Sequence, residues 1–243
     1  MTNPGGLIRA RGDNQRTLAF AASVVRDGKV TAEGYYELDG AMNLRRVNDA
    51  AAHEWTKKNT AVPVDVITAD EASVLIVDDA NHRWRLPRGT AAFDTQGALP
   101  LRVDREVCTE RDLFHAYGTF YELPADNAGG FAKIRPIATH NRRITDYCSY
   151  RGLLVISGIA AGVPPNDRHL IRSDDGQCAL WVGAVDNLWS LGKAVGHGGP
   201  WHNSAVQKET PSDPYLLMGY DRKTLTLSHD AAEPVRVRVQ VDI

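Results

Sequence analysis

Strict alternation of apolar and polar positions recurs along this chain, and a two-residue period is that of a half-buried β-strand. Residues 235–241, VRVRVQV, are the purest case, and residues 99–107 alternate Leu and Val with charged positions in the same way. Residues 17–25, TLAFAASVV, and 30–38, VTAEGYYEL, flank Asp27-Gly28, which predicts a hairpin closed after its second strand by Asp39-Gly40. Apolar, β-branched or aromatic runs predict further strands at 62–67, 73–77, 82–86, 117–123, 153–159, 169–172 and 179–182. Residues 215–219, 224–228 and 235–241 read as a three-stranded meander. Only residues 50–58, AAAHEWTKK, read as a helix, with Asn48 or Asp49 as its N-cap. A short turn is expected within 109–118, and a strand and turn around a core Trp189 within 184–193. The Pro-Gly-Gly start makes residues 1–16 a flexible lead-in.

The strand–turn–strand unit repeats. VLIVDDANHRW at 74–84 is similar to HLIRSDDGQCALW at 169–181: an apolar strand, an Asp-Asp turn, then a strand bearing Trp. LLMGYDRKTLTLSHD has the same outline without the Trp. Recurring hairpins of this size predict a radial array of small antiparallel sheets. Within the second copy, SDDGQCALW at 173–181 resembles the Asp-box of β-propeller sialidases and related proteins. It departs from that motif in having Gln177 at a usual Gly position, no Thr, and a late Trp. The resemblance implies a propeller and a structural turn, and it implies no activity. The expected fold is therefore all-β, a β-propeller or partial propeller with one short helix, in a single domain over 1–243. A β-sandwich is the alternative. Blades need about 40–50 residues each, so the chain holds about five and a fragment of a larger ring is one reading of it.

Composition narrows the function classes. Charged residues make up 24% of the chain and the net charge is −2, so no basic excess points to nucleic acid or an anionic membrane. No run of 18 apolar residues exists, and the N-terminus lacks a secretory h-region. The expected location is the cytoplasm, or outside the cell with an export segment upstream. Cys108, Cys148 and Cys178 have no CxxC spacing, which argues for free thiols and against a zinc site. The two histidines of GHGGPWHN, at 196–203, are a weak metal pattern. No metal or cofactor is expected. Phosphate-loop, HExxH, GxSxG and GxGxxG motifs are absent.

Candidate chemistry concentrates in residues 133–152, KIRPIATHNRRITDYCSYRG, a mostly non-periodic stretch ahead of a buried strand. His140 is the expected acid/base, Asp146 its orienter, and Glu122, among aromatics in YGTFYELP, the second carboxyl. Arg143 and His197 are expected to contact substrate, with Trp201 and Tyr150 as stacking platforms. His, Arg, carboxylate and loop aromatics together point to a carbohydrate-active enzyme, a glycosidase or polysaccharide lyase. The alternatives are a non-catalytic module binding a glycan or protein, and a subunit of a homo-oligomeric assembly.

Overall fold

In the computed structural model the described residues are 5–11, 15–27, 29–60, 67–89, 101–107, 111–140, 142, 144–159, 164 and 166–241. They form four antiparallel sheets. The first is a meander of β1 (Gly5–Arg11), β2 (Thr17–Arg26), β3 (Lys29–Leu38) and β4 (Leu44–Arg46). The second has β5 (Ile67–Ala69), β6 (Val74–Val77) and β7 (Arg83–Leu86). The third runs β8 (Asp104–Val107), β9 (Arg111–Ala116), β10 (Thr119–Leu123) and β11 (Arg135–Thr139) in order. The fourth has the order β12 (Asp146–Tyr150), β13 (Leu153–Ser157), β15 (Ala179–Gly183), β14 (Leu170–Arg172). The helix α1 (Ala50–Asn59) starts where Asp49 accepts the Ala52 N–H, and it sets Ala52 against Ala19 and Tyr35.

Local side-chain chemistry closes the hairpins. Asp39 accepts the N–H groups of Ala41 and Asn43 between β3 and β4. Asp70 does the same for Ala72 and Ser73, and Asp78 for Ala80 and His82. In the Asp-box-like turn Asp175 accepts from the Ser173 hydroxyl and the Gln177 N–H. A short carboxylate that captures the backbone two residues on fixes a turn without long-range help.

Apolar faces then stack the sheets. Ile8, Leu18 and Phe20 of the first sheet pack on Tyr150, Val155 and Leu180 of the fourth. The fourth turns Tyr147, Leu154 and Trp181 to Leu113, Phe120 and Ile137 of the third. The third presents Phe114 and Tyr121 to Val74, Ile76 and Leu86 of the second. The stacking order is thus first, fourth, third, second. Each fully buried large side chain contributes about 1.5–3 kcal/mol. The Asp-box-like turn joins the first interface: Tyr36 donates its hydroxyl hydrogen to Asp175, Arg46 N–H binds Asp174, and Ser173 bridges Leu44.

Several expectations are corrected. Within the proposed lead-in, residues 5–11 are strand β1, paired along its whole length to β2. The stretch at 133–152 contains two strands, β11 and β12. Residues 111–116 are β9, in place of a turn. Residues 185–191 are a 3-10 turn with Trp189 half exposed, not a strand with a core Trp. The C-terminal meander does not form: no strand is present from 206 to 241, and Tyr215 makes only an isolated bridge to Arg85. Of the strand expected at 62–67, residues 62–66 lie outside the described residues, as do Cys108 and Arg143. Cys148 and Cys178 are free and buried.

Candidate functional site

Three edge strands from different sheets meet at Asp146, the first residue of β12. Its carboxylate has no solvent exposure and accepts from the Ile8 N–H at 2.9 Å and the Tyr147 N–H at 2.8 Å. It also accepts from Arg102 Nε at 2.8 Å and Arg105 Nη1 at 3.2 Å. Arg105 Nη1 reaches the carbonyls of Ile8 and Tyr147 as well. Beneath it, the Ser157 hydroxyl accepts the Asp146 N–H and donates to the Gly6 carbonyl. A buried carboxylate is tolerated only when its lone pairs are filled, and here the donors come from β1, β8, β12 and the segment before β8.

Beside this node lies an open cleft of about 400 Å³, lined by Arg9, Ala10, Asn59, Arg105, Glu106, Cys148 and Ser149. β1, β8, β12 and the end of α1 supply these residues. Arg9 Nη1 donates to the Asn59 carbonyl, and its guanidinium lies 5.6 Å from the Trp55 ring centre. Arg11 stands over the same ring at 6.0 Å. Burial pushes the Cys148 thiol up to about 12, which keeps it protonated and poorly nucleophilic. The two guanidinium groups, one carboxylate and one serine hydroxyl of the lining can bind hydroxyls and anionic groups.

The acidic face of the β8–β9 ladder adjoins the cleft. Asp104 and Glu106 share a face by strand alternation, and Asp112 stands opposite Glu106 in the register. Burial and the nearby Asp112 raise Asp104 to about 6. Burial, Glu106 and Asp126 raise Asp112. Among the described residues no group of three or more His, Cys, Asp or Glu side chains is placed to hold a metal ion.

His140 sits in the core, 3% exposed, with its ring stacked on that of His115 and the two Nε2 atoms 3.1 Å apart. The Arg142 N–H binds His140 Nδ1, so the neutral ring carries its proton on Nε2 and donates to His115. His115 in turn has a backbone hydrogen bond to Arg102. Burial depresses both: His115 falls to about 4, and His140 falls well below the ordinary range, with His115 and Arg142 adding repulsion. Phe120 and Tyr147 surround the pair.

The expected catalytic groups do not share a cleft. Glu122 is paired with Arg135 at 3.1 Å, at the opposite end of the β10–β11 ladder from His140. Five residues of strand separate Arg135 from His140, or about 16 Å at the strand rise. The polar partners of Asp146 are Arg102, Arg105 and amides, so it does not orient His140. Tyr150 is fully buried and donates to the carbonyls of Arg16 and Leu38, so it is no stacking platform. His197 and Trp201 are exposed in the Gly-rich loop at 196–203. That loop lies on the second sheet: Arg88 and His197 exchange backbone hydrogen bonds, and the Ser73 hydroxyl donates to Gly199. Gly198 has φ +126°, and a Cβ there would run into the Ala72 carbonyl, so close approach explains this glycine. Thr139, next to His140, binds Val195 next to the loop through its hydroxyl, so the two segments are neighbours although His140 faces the core.

Arg9, Asn59, Arg105 and Ser149 escaped the sequence reading, while Glu106 was only one of several carboxylates it offered. The alternation of LIRAR at 7–11 was the available signal for Arg9, masked by the Pro-Gly-Gly start. Nothing in sequence separates Arg105 from other strand arginines, since its role depends on three sheets meeting. In comparisons with known protein families, curated proteins and solved structures, no match to this chain was found.

Proposed function

We propose that the chain is a non-catalytic binding module of β-propeller type, and that the ligand is a carbohydrate held in the cleft between β1, β8 and β12. The stacking of four small antiparallel sheets face to face supports the propeller reading, as does the meeting of edge strands from three of them at one point. One observation carries the binding reading. The cleft offers guanidinium, amide and hydroxyl groups, while the His140 imidazole and the Asp146 carboxylate are buried and committed to structural partners. Forked donors suit sugar hydroxyls and carboxylates. Isothermal titration with a panel of neutral and uronic-acid oligosaccharides tests this. Binding that Arg9→Ala weakens at least about tenfold, with the ligand recovered intact, is expected. No binding across the panel sinks it.

The second reading is the carbohydrate-active enzyme, a glycosidase or lyase, and the raised Asp104 favours it. A carboxyl held near 6 is poised as a general acid, with Glu106 on the same face as a second carboxyl. Turnover of any bound oligosaccharide, abolished by Asp104→Asn with binding retained, would replace the binding reading by this one.

A further inference from the structure

Two imidazoles that the binding reading leaves unused meet where the third sheet packs on the fourth. They form a directional chain of hydrogen bonds. The Arg142 N–H is given to His140 Nδ1 at 3.2 Å, and His140 Nε2–H is given to His115 Nε2 at 3.1 Å. The Arg102 N–H is already taken by the Thr145 carbonyl, so His115 completes the chain by donating Nδ1–H to the Arg102 carbonyl. Each ring nitrogen has one role, and the neutral chain is satisfied throughout. A further proton conflicts with it at either end. On His115 Nε2 it would face the Nε2–H of His140, and on His140 Nδ1 it would face the Arg142 N–H.

The chain ends on the residue that holds the sheet junction. Arg102 Nε lies 2.8 Å from Asp146 Oδ1, and the same oxygen accepts from Arg105 Nη1 at 3.2 Å. Arg105 lines the cleft. Of the ionisable groups packed around the pair, Arg142 and Arg102 are cations. Tyr147 of β12 is a neutral phenol whose hydroxyl serves the Val103 and Leu113 carbonyls. β10 presents Phe120. The carboxylates of this interface, Asp104 and Asp146, act on Tyr147 and Arg102.

We propose that the His140–His115 pair is an acid-sensitive lock on the cleft. A proton entering the pair parts the rings and frees Arg102, and the Asp146 junction that sets Arg105 in the cleft wall loosens. The consequence for a ligand rests on the binding reading above, whereas the lock itself does not. Burial holds His115 at about 4 in the closed form, against about 6.5 for an imidazole in water. The opened form therefore binds the proton more tightly, so opening is suppressed above about pH 6.5 and favoured as pH falls toward 4. For His115 alone, the opened fraction rises about 30-fold between about pH 7.5 and about pH 5.

Hydrogen exchange of the full chain without ligand tests this over the same range, each rate taken relative to its intrinsic rate at that pH. The amides of Ile8 and Tyr147, whose acceptor is Asp146, report the junction. Their protection is expected to fall about 30-fold, while amides of the β2–β3 ladder keep theirs. In His115→Phe/His140→Leu their protection is expected to be independent of pH. Asp104, raised to about 6, titrates in the same range, and Asp104→Asn is expected to behave as the native chain does. Constant protection of Ile8 and Tyr147 in the native chain would overturn the inference whether or not the double variant folds. So would a fall shared by the β2–β3 ladder, a fall that persists in the double variant, or one abolished by Asp104→Asn. Unresponsive amides leave the binding reading standing, and absence of oligosaccharide binding leaves the lock standing.

Discussion

Replacing Asp146 by alanine is the sharpest test of how the sheets are joined. The substitution removes the acceptor shared by the Ile8 and Tyr147 amides and by Arg102 and Arg105. Arg102 is 7% exposed in its side chain, so it loses a buried counter-charge 2.8 Å away. Breaking one partner of a buried ion pair costs about 3–5 kcal/mol. Each orphaned buried amide adds about 1–3 kcal/mol where water cannot reach it. These contributions share one site and do not simply add, so the expected loss is about 5 kcal/mol. For a chain of this size that lowers Tm by about 10–20 °C. Asp146→Asn keeps one acceptor oxygen and should lose about half as much. The assay is urea unfolding followed by circular dichroism, with the Arg102→Met/Asp146→Leu double variant alongside. Replacing both members of the pair by apolar groups leaves no half-broken buried ion pair at Arg102–Asp146, so the double variant should be more stable than Asp146→Ala alone. A loss below about 1 kcal/mol in Asp146→Ala, or a double variant no better than the single, would refute the claim that this carboxylate joins the sheets.

Acid should act first on the buried histidine pair. His115 has a folded value of about 4 against about 6.5 when unfolded, so the unfolded chain binds the extra proton. Its contribution is complete above about pH 6.5 and is lost as pH falls toward 4, to the extent of about 3 kcal/mol. The His115→Phe/His140→Leu double variant should flatten urea stability between pH 6.5 and 4, and an unchanged slope would contradict the assignment. In the Asp-box-like turn, Asp175→Ala removes acceptors for Ser173, Gln177 and Tyr36 and should cost about 1–2 kcal/mol in the same assay. Asp78→Ala, in the turn between β6 and β7 where its carboxylate binds only Ala80 and His82 among the described residues, should cost under about 1 kcal/mol. Gly198→Ala should release the loop at 196–203, seen as faster hydrogen exchange from 196 to 203 with β6 unchanged.

Local signals made the all-β class legible in the sequence. Two-residue alternation, Asp-Gly and Asp-Asp turns and the Asp49 cap act over a few residues, so β2, β3, β6, β7, α1, β13, β14 and β15 fall where the pattern places them. The Asp-box-like segment is likewise a turn, and its use as a bolt to β4 is a tertiary fact. Strands whose ladders lie beside polar or irregular sequence, β1, β11 and β12, were hidden because their partners are what make them strands. The C-terminal run errs in the opposite direction. Its alternation is the cleanest in the chain, yet a strand needs an edge to pair with, and among the described residues none is offered to it. The same limit governs the site. Sequence identified His140, Asp146, Glu122 and Tyr150 as chemically capable, but reactivity depends on exposure and facing partners. Packing decided both, burying His140 against His115, spending Asp146 on two arginines, and forming the cleft from residues on β1, β8 and β12. Side-chain type is written in the sequence, whereas burial and pairing are properties of distant segments brought together.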